Sequence, residues 1–286
     1  MAPNRMKAIT LMFHDAVENN RFDESGFSGL GPALYKLDVH EMEAHFRRIS
    51  ALIPEPPFLV NDVLLGKTGG RTPLLLTFDD GGVSGATLIA DLLEKRGWRG
   101  HFLVTAGSVH RAGFLSSSQI RDLKARGHLI GTHSWSHPER MSSCAWGTLV
   151  EEWHRSIASL SDLTGEQITV GSVPGGFYSR SVARAASVCG IQTLFTSEPV
   201  KRCGLVDGCL VLGRFRVTRG MTPSHVASLC SASTSGGQMK QYALWNLMKA
   251  PRFATGDYYP VIRGALLRLL EGKTRITRSS IRGAER

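Results

Sequence analysis

Short apolar runs that end in polar or charged residues alternate with amphipathic stretches along most of this chain. Ala8 to Phe13, Leu74 to Phe78, His101 to Thr105, Leu129 to Thr132, Ile168 to Val173, Ile191 to Thr196 and Cys209 to Leu212 are the apolar runs. Each is too short for a helix and reads as a strand buried on both faces, the pattern of parallel sheets. Between them lie segments of helical period. Asp38 to Leu52 has Asp38 as cap, Glu41 at the capping-box position, and Val39, Met42, Phe46 and Ile49 on one face. Prolines 54, 56 and 57 stop it. Helices are also expected from Gly85 to Arg96, from a cap at Ser118 to Arg126, from Thr148 to Leu163 and from Ser181 to Val188. After about residue 235 the chain reads as helical, with apolar faces at Tyr242 to Met248 and Tyr258 to Leu270. Repeated βα units predict an α/β fold with functional residues at the C-terminal ends of the strands. Periodicity alone leaves a barrel and an open doubly wound sheet both standing.

Two strand ends carry the chemistry. Leu74-Leu75-Leu76-Thr77-Phe78 runs into Asp79-Asp80-Gly81-Gly82, and Leu129-Ile130-Gly131-Thr132 runs into His133-Ser134-Trp135-Ser136-His137-Pro138. One carboxylate and two imidazoles four residues apart form a borderline-hard divalent site with positions left open, which suits Zn²⁺ or a similar first-row ion. The other carboxylate is then free to act as a base. Adjacent side chains on a strand point opposite ways, so both aspartates can share a site only where the strand frays, and the two glycines permit that sharp exit.

Thr77-Phe78-Asp79-Asp80-Gly81 followed by the His-Ser-x-x-His-Pro segment resembles the polysaccharide deacetylases, carbohydrate esterases with the NodB homology domain. The resemblance covers roughly residues 8 to 220. It implies a distorted (β/α) barrel of about seven parallel strands over residues 1–235, with 236–286 as a helical, basic extension. It also implies Asp79 as catalytic base, Asp80, His133 and His137 as metal ligands, and hydrolysis of an N-acetyl group from an amino sugar. Pro174-Gly175-Gly176 falls at the family's third motif, which makes the backbone of Gly175 and Gly176 the expected oxyanion donors, with Tyr178 close by as a substrate-binding candidate.

The chain departs from the family in three places. Ser172 stands where an arginine usually orients the base, leaving Arg180, Arg214 and Arg216 as substitutes. Thr196-Ser197-Glu198 lies where an aspartate is expected, and Leu212-Gly213-Arg214-Phe215-Arg216 lacks the histidine of the last motif. That leaves the general acid open between His14, at the end of the first strand, and Asp79 acting twice.

The remaining composition narrows the setting. No apolar run among the 286 residues approaches the roughly 18 needed for a membrane span. Met1 to Thr10 is short and polar, and Ile9 to Phe13 is too brief for a signal-peptide core, so a cytosolic protein is expected. Five cysteines without a Cys-x-x-Cys pair fit reduced thiols, although Cys203 and Cys209 flank a turn and are candidates to pair. The formal charge of +10, concentrated from Arg263 to Arg286, suits a nucleotide- or lipid-linked substrate or an anionic membrane surface; no nucleic-acid motif accompanies it. The competing readings are a hydrolase of a non-sugar amide or formamido sugar, and a catalytically dead carbohydrate-binding barrel.

Overall fold

The computed structural model describes residues 6–247. Nine strands form one sheet: β1 (Ile9–Phe13), β2 (Leu74–Phe78), β3 (His101–Val104), β4 (Leu129–Thr132), β5 (Val170–Ser172), β6 (Thr193–Phe195), β7 (Gly204–Val206), β8 (Cys209–Leu212) and β9 (Phe215–Arg216). Their spatial order is β9-β1-β2-β3-β4-β5-β6-β8-β7, and every pairing is parallel except that of β7 with β8. The sheet curls into a distorted half-barrel, the architecture expected from the family resemblance. Near the start of β1 the segment 201–203 runs alongside, with Ala8 N–H donating to Lys201 O and Cys203 N–H to Met6 O, both near 3 Å (2.9 and 3.1 Å).

Helices cover the outer face. In the helix Val39–Leu52 the Asp38 carboxylate caps His40 N–H, and Met42, Phe46 and Ile49 are buried as the period requires. Glu41 does not close the expected capping box; its carboxylate instead accepts from Gly220 N–H (2.8 Å). The cap of helix Ser117–Ala125 is Ser116 and not Ser118, in a full capping box with Gln119. Gly85–Ile89 is a π-helical turn before Ala90–Glu94. Helix Trp146–Thr164 buries Leu149, Trp153, Ile157 and Leu160.

Two apolar clusters result, an outer one between sheet and helices and an inner one inside the barrel. The inner cluster contains Leu75, Leu103, Val170, Phe195, Leu210 and Cys203, whereas Cys209 lies in the outer cluster. Cys203 and Cys209 therefore face opposite sides of the sheet and do not pair; all five cysteines are free thiols. The chain divides into two compact units after Tyr242, and helix Gly236–Leu247 crosses that point. The apolar face expected at Tyr258 to Leu270 and the basic stretch from Arg263 lie outside the described residues.

The floor of the barrel is stapled by a histidine. His101 is fully buried; its Nδ1–H donates to Leu76 O (2.7 Å), so Nε2 is the acceptor for Val60 N–H (2.9 Å). Burial lowers its pKa from 6.5 to about 4. Between those values the unfolded chain holds a proton here that the folded chain refuses, so stability falls as pH drops below about 6.5, by about 1.4 kcal/mol per unit. His101→Gln keeps a donor and an acceptor but cannot titrate. Urea unfolding between pH 6.5 and 5.5 should show a loss about 1 kcal/mol smaller in this variant than in the wild type; equal losses would remove His101 as the cause.

Candidate active site

The site lies at the C-terminal mouth of the sheet and begins where β2 ends. Asp79 and Asp80 are outside the strand, and Asp80 has a left-handed backbone (φ 74°), as does Gly81 (φ 81°). This turn brings both carboxylates to one side, although consecutive strand residues would diverge. Gly82 is required by contact: a Cβ there would lie 1.9 Å from Asp15 Oδ1. Asp15 itself is buried and receives hydroxyl bonds from Ser25 (2.6 Å) and Ser84 (2.7 Å) on that same oxygen. It thereby ties the loop after β1 to the turn after β2.

Three donor atoms converge. Asp80 Oδ1 lies 3.5 Å from His133 Nε2 and 3.6 Å from His137 Nε2, and all three lie within 4.8 Å of one another. Two ligands at about 2.1 Å from a tetrahedral ion are separated by about 3.4 Å, so the donor set fits a divalent metal with little adjustment. Burial, joined by the Asp79 charge and opposed by His14, lifts the Asp80 pKa to about 7, and burial pushes His133 down to about 3. A buried carboxylate beside two neutral imidazoles is a place where a bound cation would supply the compensating charge.

Asp79 belongs to a second network. Arg214 approaches it in a two-pronged pair, Nη1 to Oδ1 at 2.7 Å and Nη2 to Oδ2 at 2.8 Å. The guanidinium is fully buried and donates further to Thr77 Oγ1 (3.1 Å) and Thr196 O (2.9 Å). Burial alone would raise the Asp79 pKa; the Arg214 charge overrides it and, with help from His133, holds the carboxyl well below the usual range. Arg214 can sit there because Gly213 precedes it, where a Cβ would lie 2.3 Å from Glu198 O. Of the three arginines weighed from sequence, Arg214 is thus the partner of Asp79. Arg180 is exposed at the start of helix Arg180–Val188, and Arg216 lies on β9 with its backbone held by Gln241.

Ser172 joins the two networks. Its hydroxyl donates to Asp79 Oδ1 (3.2 Å), so it accepts from His133 Nδ1–H (2.5 Å). This fixes the His133 tautomer with the Nε2 lone pair facing Asp80, as a metal ligand requires. Sequence reading registered Ser172 only as a missing arginine.

The other candidates are distributed as follows. His14 is packed on Tyr35 (ring centroids 4.6 Å), and its Nδ1 is buried without a hydrogen-bond partner among the described residues. Burial lowers its pKa, opposed by the charges of Asp80 and Asp79. His137 meets Phe27 (centroids 4.7 Å), a loop residue no sequence signal had marked. Pro174–Gly176 forms a 3₁₀ turn in which the Gly176 amide donates to Val173 O (3.3 Å), so that N–H is already engaged within the turn. Gly175 has φ 58°, and Tyr178 is half-buried against the outer core. His225 sits on helix Pro223–Leu229 and is not among the three converging donors.

Residues 66–194 match the family described as polysaccharide deacetylase. Among curated relatives, the chain is 32% identical over 135 residues to the peptidoglycan-N-acetylmuramic acid deacetylase PdaA of Bacillus subtilis, covering 46% of this chain and 49% of that protein. It is 27% identical over 165 residues to the peptidoglycan-N-acetylglucosamine deacetylase PgdA of Listeria monocytogenes, covering 54% and 34%. The chain spans about half, or less, of the length of these relatives. A Streptococcus pyogenes deacetylase, PplD, solved in complex with acetate, superposes with TM-score 0.65 at 18% identity, covering 79% of this chain and 99% of that one. IcaB from Ammonifex degensii gives 0.63 at 22% identity, covering 79% and 98%. The family resemblance carried by the two motifs therefore stands, and the solved structures share the fold.

Two measurements follow from this geometry. Elemental analysis of purified protein should find close to one divalent ion per chain, and His133→Ala or His137→Ala should lose it; full occupancy in both variants would refute the ligand assignment. Arg214→Ala leaves Asp79 buried and unpaired, at a cost of about 3–5 kcal/mol in denaturant unfolding. Adding Asp79→Asn to that variant should recover part of the loss, and simple additivity of the two changes would mean the pair is not coupled.

Proposed function

We propose that this protein hydrolyses the N-acetyl group of an acetamido sugar, using one divalent ion, Zn²⁺ in the first instance. The observation that carries the reading is the Asp80–His133–His137 donor set placed one hydroxyl away from a separately anchored carboxylate, Asp79. A divalent ion held there polarises the acyl carbonyl and acidifies a water. Asp79 is held by Arg214 and Ser172 and is left out of the ligand set, so it is positioned to take the proton of the attacking water. With its pKa well below the usual range, Asp79 accepts a proton only from an acidified water and gives it up readily. The turn at Gly175 offers main chain to the developing oxyanion, and Tyr178 flanks the same turn.

His14 is our choice for the donor to the departing amine. Its unpartnered Nδ1 and its place among Asp79, Asp80, Arg214 and His137 set it apart from the other described histidines outside the ligand set. Burial keeps the resting imidazole neutral, and the two carboxylates lower the cost of charging it during turnover. As the finer substrate we carry a cytosolic precursor on a nucleotide or lipid pyrophosphate, supported by the net charge of +10. The relatives named as peptidoglycan deacetylases make acetylated cell-wall glycan the comparison substrate.

The experiment is acetate release from free, nucleotide-linked and lipid-linked acetamido sugars and from peptidoglycan fragments. Release from an acetamido sugar is expected, with KM rising as salt is added if the substrate is anionic; no release from any of them removes the reading. Asp79→Asn should retain metal and lose about 10²–10⁴-fold in turnover. His14→Ala should lose far more on an acetamido sugar than on p-nitrophenyl acetate, whose leaving group departs without a proton. Equal losses on both would assign His14 another role.

A further inference from the structure

The segment between the two ligand histidines is held by a side chain that touches neither of them. Ser134 and His137 both have left-handed backbones (φ 64° and 58°), a conformation that costs a non-glycine residue about 1 kcal/mol or more. After Ser134 the next two amides point the same way and form a small anion-binding concavity. Glu152, from helix Trp146–Thr164, fills it. Its Oε2 accepts from Trp135 N–H (3.0 Å) and Ser136 N–H (2.9 Å), and its Oε1 from the Ser136 hydroxyl (2.7 Å). Glu152 is 8% exposed, and these three bonds are its hydrogen bonds among the described residues.

The same helix face grips the loop twice more. Arg155 lies over the Trp135 ring at 4.3 Å, and Ser156 Oγ is hydrogen-bonded to Thr132 Oγ1, which in turn accepts from Ser134 N–H (3.1 Å). From the other side Ala106 N–H and Gly107 N–H donate to Ser134 O and Trp135 O (3.1 and 2.9 Å). The loop is therefore clamped between main chain and one carboxylate, and the carboxylate is the only charged partner of its amides among the described residues.

We propose that Glu152 is a positioning residue for the metal centre, setting the bite between His133 and His137 by holding the Trp135 and Ser136 amides. The inference rests on reading Asp80, His133 and His137 as the metal ligands. A loop freed from Glu152 relaxes its two left-handed residues, moves His137 relative to His133, and binds the ion less tightly without losing a ligand. Glu152→Gln keeps one oxygen able to accept both amides, whereas Glu152→Asp keeps the charge but falls one methylene short.

The test is Zn²⁺ affinity of the full chain by competition with a chelating dye, below the unfolding temperature, with Tm of the metal-free protein measured alongside. Glu152→Asp and Glu152→Ala should bind about 10–100-fold more weakly and Glu152→Gln within about threefold of wild type, the range typical of groups that orient metal ligands. A folded Glu152→Asp protein with wild-type affinity overturns the proposal, as does a fall in Tm with no change in affinity. If both shortened variants fail to fold, Ser136→Ala decides: removing one of the three bonds should weaken affinity measurably, and an unchanged affinity overturns the proposal. Failure of the metal reading looks different, because then the wild type itself binds no Zn²⁺ or His137→Ala binds it as well.

Discussion

A charge pair buried at the mouth of the barrel sets the terms for everything around it. Arg214 and Asp79 are both removed from water, and bringing two such ions inside costs several kcal/mol each before their attraction is counted. The structure offsets that cost with geometry: two parallel bonds between the pair, then Thr77, Thr196 and Ser172 on the remaining polar atoms. Those partners sit at the ends of β2, β5 and β6, and Arg214 itself bridges β8 and β9. Four separate parts of the sheet must therefore reach their final positions together for either charge to be tolerable. Closure of the barrel toward β9 and alignment of Asp79 are the same event.

Around this pair the backbone is held in conformations it would not choose. Asp80, Ser134 and His137, all at or beside the donor atoms, are left-handed. Such strain persists where the surroundings over-determine it. Asp15, through Ser25 and Ser84, secures the turn that carries Asp80; Glu152 does the same for the loop that carries His133 and His137. Each ligand-bearing segment has its own buried carboxylate, and neither carboxylate touches the other's network. The donor set is thus assembled from two independently braced loops.

The sequence revealed those parts of the molecule whose signals are local. Apolar runs ending in Asp79-Asp80 and His133 marked strands and the candidate donors at their ends because a buried strand and its polar end are neighbours in the chain. Asp38 was legible as a cap for the same reason. Ser116 was missed in favour of Ser118 because any serine near a helix start satisfies the pattern, and only hydrogen bonds to Gln119 decide. The strands β7 and β9, three and two residues long, are too short for any period to show. Arg214, 135 residues from Asp79, could be nominated but not selected, since tertiary pairing leaves no trace in spacing. Glu152 and Phe27 gave no signal at all: one reads as a helix-surface carboxylate, the other as a loop aromatic.

The departures from the family pattern are physically one rearrangement. Ser172 stands where the resembled family usually carries an arginine, so the end of β5 brings a hydroxyl and no guanidinium to Asp79. Arg214 supplies a charge to Asp79 from the segment between β8 and β9, which lacks the histidine of the last motif. The Thr196 carbonyl accepts from its Nε, so the acidic residue expected nearby is not needed to hold it. The Ser172 hydroxyl donates to Asp79 while accepting from His133. An arginine could not do the second, because a guanidinium has no acceptor. Ser172 therefore makes a connection that an arginine there cannot make: the His133 tautomer and the orientation of Asp79 are set by the same hydroxyl. His14, at the end of β1 beside β9, is buried in the same mouth with its Nδ1 unpartnered among the described residues.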